Sequence, residues 1–210
     1  MTRYGISQPV TQVEAPRLVT GRGRYTDDVN LPRQAVANFL RSPHAHADIV
    51  RIDKSAAETL PGVLAVLTGE DYAADGLGEI IGGSPLRRRD GSQMYRPPRP
   101  AMIRDRVRHV GQSIALVVAE TANQAKDAVE AIEIDFASLP AHLSTAEAND
   151  PATPSLYDAC PNNEPVFAEH GDAAAVDAAL YNAAHVVQEN FVVNRVAANT
   201  MEPRAVVADY

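Results

Sequence analysis

Residues 113–136 constrain the fold of this chain more than any other stretch. There an unbroken apolar run, a capped helix and an alternating strand follow one another. Ile114 to Val118 is apolar throughout, the pattern of a strand buried on both faces. Thr121 and Gln124 form a T-x-x-Q capping box, a signal for a helix start. Ala125, Ala128, Val129 and Ile132 then recur at helical spacing and share one face. Beyond the helix Ile132, Ile134 and Phe136 alternate with Glu133 and Asp135, so the second strand has one wet face. The crossover is long enough for parallel pairing, and the spacing predicts a β-α-β unit.

Shorter elements surround this unit. Residues 35–40 and 49–52 read as strands on their β-branched and aromatic content. Asp53 is placed to cap a short helix through Glu58, which the Pro61-Gly62 turn ends. Val63 to Leu67 is a second unbroken apolar run, expected to be buried on both faces. Thr68 caps another short helix, with Asp71 at its third position. Two proline-rich stretches interrupt the pattern: Pro85 to Pro100, and Pro140 to Pro165. Proline removes a backbone donor and restricts its predecessor, so both read as ordered surface loop or linker, the second as a domain boundary. Past it, Asp172 can cap a helix with Val176, Ala179, Leu180 and Ala183 on one face. Residues 186–193 and 205–208 are strand-like, and their open edge suggests an incomplete domain.

Composition narrows the function. The 210 residues are 45% hydrophobic and 22% charged, an ordinary globular balance. A formal net charge of -8 argues against nucleic acid or an anionic membrane as main partner. No run approaches the ~18 apolar residues of a membrane span. The opening 17 residues lack the apolar core of an export signal and read as a polar arm. A cytoplasmic protein is the expectation. Cys160 is the only cysteine, so neither an internal disulfide nor a cysteine-held iron–sulfur or zinc site can be built.

Each candidate for chemistry has a structural alternative. His44 and His46 sit two apart and would share a strand face as metal ligands do, yet no third ligand lies at a compatible spacing. Gly21 and Gly23 resemble part of a phosphate loop without its third glycine or its helix, and read as turn glycines. Asp27 and Asp28 would point to opposite faces of a strand, and a solvated turn is preferred. Arg87, Arg88 and Arg89 could grip a phosphate or a partner subunit, or be solvated. Cys160 lacks any sign of an activating base. Glu202, with Arg204 nearby, is the one carboxylate in an apolar region, either site furniture or a structural pair. An autonomous hydrolase using Glu202 or a histidine has no further support.

Several stretches together resemble the large, molybdopterin-binding subunits of the xanthine dehydrogenase, aldehyde oxidase and carbon monoxide dehydrogenase family. They are RLVTGRGRYTDDVNLP at 17–32, LRSPHAHADIVRID at 40–53, LPGVLAVLTGED at 60–71, RPPRPAMIRDRVRHVGQSIALVVAET at 96–121 and AVEAIEIDFASLPA at 128–141. HGDAAAVDAAL at 170–180, AAHVV at 183–187 and TMEPRAVVADY at 200–210 continue it. Gly-Gln-Ser at 111–113 departs from the family's frequent Gly-Glu-Pro. The resemblance implies an α+β fold, with an arm at 1–17, an a/b hammerhead domain at 18–140 and a linker at 141–165. Residues 166–210 would then open the first molybdenum-cofactor domain, truncated at Tyr210.

It further implies a parent enzyme that hydroxylates an aldehyde, an N-heterocycle or a related substrate, with water as oxygen source. Its partners would be the rest of the large subunit, an iron–sulfur small subunit and an FAD medium subunit, assembled as a dimer of heterotrimers. The molybdenum–molybdopterin cofactor and the catalytic residues would lie outside this chain. No catalytic, cofactor-binding or metal residue is therefore assigned within it, and alone it is expected to be inactive. The alternative expectation is a free-standing, non-catalytic interaction module.

Overall fold

Two antiparallel three-stranded sheets take the place of the expected parallel pair. The computed structural model describes residues 11–82, 86–88, 90–194, 196, 199–200, 202 and 204–209. In chain order the elements are α1 (Ala15–Val19), β1 (Val36–Arg41), β2 (Ala47–Asp53), α2 (Ser55–Glu58), β3 (Val63–Thr68) and α3 (Gly69–Ala74). They continue with β4 (Arg106–Val107), β5 (Ser113–Ala119), α4 (Ala122–Glu130), β6 (Glu133–Ser138), α5 (Thr145–Ala148) and α6 (Ala173–Asn182). Residues 35–186 form one compact unit holding both sheets; residues 1–34 with 187–210 form another, which carries α1. Among the described residues no helix is long and apolar enough to cross a membrane.

The first sheet has the order β1-β5-β3 and the second β4-β2-β6. The strands on either side of α4 therefore lie in different sheets, which corrects the parallel β-α-β expectation. The physical reason is edge availability. β1 and β3 occupy both edges of β5, each antiparallel, so β6 pairs with β2 instead. A crossover of this length permits parallel pairing without requiring it.

Burial follows from that topology. One cluster joins Ala57, Val66, Ala115, Val117, Ala128 and Ile132, where α2 and α4 cover one face of the first sheet. A second joins Ala47, Ile103, Val107 and Ile114, with Ile49, Ile134 and Phe136 packed against it. β5 is the central strand and is largely buried, as its apolar run predicts. β3 is not. Leu64 and Leu67 are 58% and 37% exposed, because an edge strand with helices on one side keeps its other face open. In β6, Ile134 and Phe136 turn inward, while Glu133 and Asp135 turn out to Arg51, whose guanidinium also reaches Asp53.

The caps hold with local differences. The Thr121 hydroxyl accepts from the Gln124 backbone N–H at 3.3 Å, as expected. The Gln124 side chain does not return to the backbone; it accepts from that hydroxyl at 2.8 Å. Its amide lies over Gly62, where a Cβ would sit 2.1 Å from Nε2. Lys54, not Asp53, is the N-cap of α2, and Asp53 accepts from the Ser55 N–H at 3.1 Å.

At α3 the expected capping box is complete. The Thr68 N–H donates to Asp71 Oδ2 at 2.7 Å, and Lys54 Nζ reaches the same oxygen at 3.0 Å. The Thr68 backbone N–H, then Lys54 and the Thr68 hydroxyl, hold the Asp71 carboxyl below its ordinary 3.8 against an opposing effect of burial. A folded-state value below the unfolded one gives stability that is present above the unfolded value and lost as pH falls through the folded one. The stability gap between the native chain and Asp71→Asn is thus expected to stay constant near neutral pH and to narrow below the ordinary carboxylate value. Urea titrations at about pH 6 and about pH 3 measure it, and an equal gap at both would contradict the assignment.

The proline-rich segment at 141–165 is held by specific bonds. Asn163 Oδ1 accepts from the Leu156 N–H at 2.6 Å, and Asn163 Nδ2 donates to Ala148 O at 3.0 Å. Arg108 Nε donates to Leu156 O at 3.3 Å, and its guanidinium lies 4.5 Å from the centre of the Tyr157 ring. At 173–182 the helix forms as predicted, capped by Asp172, but none of its residues is buried. Residues 186–193 and 205–208 are not strands, which corrects that expectation. Val187, Phe191, Val192 and Val193 are almost fully exposed. Their β-branched and aromatic content favours extended backbone, but a strand forms only where an edge accepts it.

Candidate functional site

The two histidines precede β2 rather than sharing its face, which corrects the metal-like geometry read from their spacing. The loop is shaped by Ser42, whose hydroxyl donates to His44 O at 2.9 Å and accepts from the His44 N–H. The His44 ring packs against Phe136 at a tilt of 48°, centroids 4.6 Å apart, which gives the histidine a structural role here. His46 Nδ1 lies 2.7 Å from Pro140 O and ties the end of β6 to the start of β2.

Other candidates resolve into turns. Gly21 has φ +69°, a conformation that favours glycine, and lies just after α1. Asp27 and Asp28 sit in a 3-10 turn, not a strand, where Asp28 Oδ2 accepts from the Tyr25 N–H at 2.9 Å. Arg87 and Arg88 belong to a tight turn closed by Arg88 N–H to Ser92 O at 2.8 Å; Arg87 donates to Gly91 O. Arg89, Pro85, the first ten residues of the arm and Tyr210 lie outside the described residues. Gly111 has φ +83° and donates to Ser42 O at 2.8 Å, while Gln112 Oε1 accepts from the Arg108 N–H at 2.7 Å. The Gly-Gln-Ser variant thus keeps a well-bonded turn.

Glu202 and Arg204 are both exposed, which corrects the reading of a buried carboxylate. An apolar sequence neighbourhood implies burial only if its apolar residues pack, and Val206 is itself 88% exposed. Cys160 is buried, and burial pushes its thiol up despite the nearby Arg88. A raised thiol is a poor nucleophile.

The molybdenum–pterin group, which the resemblance places outside this chain, does not fit the described residues. No three His, Cys, Asp or Glu side chains among them converge as metal ligands. The concavities that accompany the sheets are open surface grooves rather than enclosed pockets able to bury a pterin. One cysteine cannot hold an iron–sulfur cluster.

A groove that no local motif signals lies in the larger unit. Arg41, Arg99, His109, Ser113 and Tyr157 line it, with Pro97, Pro98 and Pro100 along one wall, and its volume is about 420 Å³. These residues come from separate segments that only the fold brings together.

The pattern of the aldehyde oxidase and xanthine dehydrogenase a/b hammerhead domain matches residues 20–140. The nicotine 6-hydroxylase large subunit of Paenarthrobacter nicotinovorans is 37% identical over 212 residues, covering 100% of this chain and 25% of that protein. Among solved structures, reconstituted CO dehydrogenase from Oligotropha carboxidovorans superposes with TM-score 0.69 at 30% identity, over 86% of this chain and 23% of that one. Quinoline 2-oxidoreductase from Pseudomonas putida 86 gives TM-score 0.63 at 34% identity, over 71% and 18%. The chain spans about a quarter of the length of the nicotine 6-hydroxylase and carbon monoxide dehydrogenase large subunits it matches.

Proposed function

Because this chain belongs to the aldehyde oxidase and xanthine dehydrogenase family, we propose that it is the scaffold and interface segment of a molybdenum hydroxylase large subunit. The observation that carries the reading is the match to the nicotine 6-hydroxylase large subunit, which covers all of this chain and a quarter of that protein. In this reading residues 1–17 are an arm, 18–140 the hammerhead domain, 141–165 a linker, and 166–210 the opening of the first cofactor domain. The molybdenum–pterin centre supplies the hydroxylation chemistry, with water as oxygen source, from elsewhere in the large subunit. This segment shapes and supports the assembly and is inactive by itself.

An N-heterocycle is the favoured substrate class over an aldehyde. The supporting likenesses are to enzymes named for nicotine and quinoline, at 37% and 34% identity. Iron–sulfur and FAD subunits complete the proposed cytoplasmic complex, a dimer of heterotrimers. The exposed Val187, Phe191, Val192 and Val193 suit a segment that packs against more protein.

The test is to tag the chromosomal copy of this sequence at its start and purify what carries the tag. The expected result is a polypeptide about four times the length of this chain, with molybdenum and two smaller subunits. A free chain of this length without molybdenum would overturn the reading and favour the stand-alone interaction module.

A further inference from the structure

We propose that the groove between the end of β1, the proline-rich 97–100 wall and Tyr157 docks an extended acidic segment of a partner protein. The charge of the groove is the first argument. Arg41 and Arg99 line it and, among the described residues, no Asp or Glu does, although the whole chain carries a formal net charge of -8. Asp158 adjoins Tyr157 in sequence without lining the groove, and Glu79 lines the neighbouring cleft that Arg99 also borders.

The cations are set for an outside partner. Arg41 Nη1 donates to Gly111 O at 2.9 Å and Ser113 Oγ at 3.3 Å, which fixes the guanidinium while its other N–H groups remain unpaired among the described residues. Arg99 makes no side-chain hydrogen bond or ion pair among the described residues; it lines both this groove and the neighbouring cleft, where its guanidinium lies over Gly82 with Nη1 2.7 Å from where a Cβ would sit. The Arg41 guanidinium, held at one edge, presents its remaining donors to a carboxylate at little further entropic cost.

The walls select the form of the partner. Pro97, Pro98 and Pro100 have no N–H, so this wall cannot extend a sheet and recognition falls to side chains. The groove is open rather than enclosing, which suits a chain lying across it better than a small molecule that must be mostly buried. Tyr157 and Ile80 give apolar contact beside the charges. A side chain pattern of carboxylates with intervening small or apolar residues complements this surface. Nothing in this docking depends on the cofactor chemistry of the parent enzyme.

Fluorescence anisotropy of labelled hexaglutamate with the full 210-residue chain at low ionic strength tests the proposal. Saturable binding is expected, weakened about tenfold by Arg99→Gln, partly restored by Arg99→Lys, and unchanged by Lys126→Gln, which removes the same charge from the exposed face of α4. Among the described residues the Arg99 side chain makes no hydrogen bond or ion pair, so its variants should melt as the native chain does. Absence of saturable binding, or equal weakening by Arg99→Gln and Lys126→Gln, would overturn the proposal. Tighter binding of inorganic phosphate or of a single-stranded oligonucleotide than of hexaglutamate would equally overturn the choice of a protein segment.

Discussion

Ile114→Ala is expected to destabilise the larger unit by about 2–5 kcal/mol, the range for truncating a fully buried branched side chain. Ile114 belongs to β5 of the first sheet, yet its side chain packs with Ala47 of β2 and Val107 of β4 in the second, together with Ile103. It is fully buried. Its neighbours in the chain, Ala115 and Val117, pack instead with the helices in the other cluster. Truncation would therefore open a void at the joint between sheets, which neither can close without shifting against the other. Urea denaturation of both proteins measures the loss. A change below about 1 kcal/mol would mean that the joint collapses freely and does not fix the two sheets together.

Gly69→Ala carries the second large effect, a loss of about 1–3 kcal/mol from overpacking. Alanine favours a helix over glycine by ~1 kcal/mol, so propensity alone predicts a gain at this first position of α3. Space decides otherwise. A Cβ on Gly69 would sit 2.7 Å from the Ile103 carbonyl oxygen and 2.9 Å from its carbon. Arg104 Cγ, also at 2.7 Å, can swing away, but the Ile103 backbone cannot, because its N–H donates to Ser113 O at 2.9 Å. A thermal melt of the variant tests this, and an unchanged or raised midpoint would show that the α3 start yields without cost.

Local chemistry was legible in the sequence, and partnership was not. The caps at Thr68, Thr121 and Asp172, the helical face from Ala125 to Ile132, and the alternation of Ile134 and Phe136 all depend on residues close together in the chain. Which strand β6 would join depended on β1 and β3 already flanking β5, a fact carried by residues far upstream. The same limit hid the exposure of Leu64: an apolar run specifies a strand, but only the sheet order says whether both faces are covered. The family resemblance was legible because it rests on many short stretches in order, and the hammerhead pattern matches residues 20–140. The Arg41 and Arg99 groove was not legible, since no spacing links a residue in β1 to one in a proline-rich loop.

The sheet order also fixes when this protein can begin to fold during its synthesis. Among the described residues β2 has only β4 and β6 as partners, and β1 has only β5. Arg51 and its ladder neighbour Asp135 are 84 positions apart. At a ribosomal rate of roughly 5–20 residues per second, the first strands wait roughly 4–17 s before their long pairings can close. Through that interval Phe39, Ile49 and Ile52 are nascent chain without a sheet, exposed to any passing strand edge. Loop closure over such a span is entropically slow, so the folding rate is set by the arrival of β5 and β6 rather than by the early helices. A chaperone that holds the emerging chain until about residue 138 has appeared would matter more here than one acting on the finished domain.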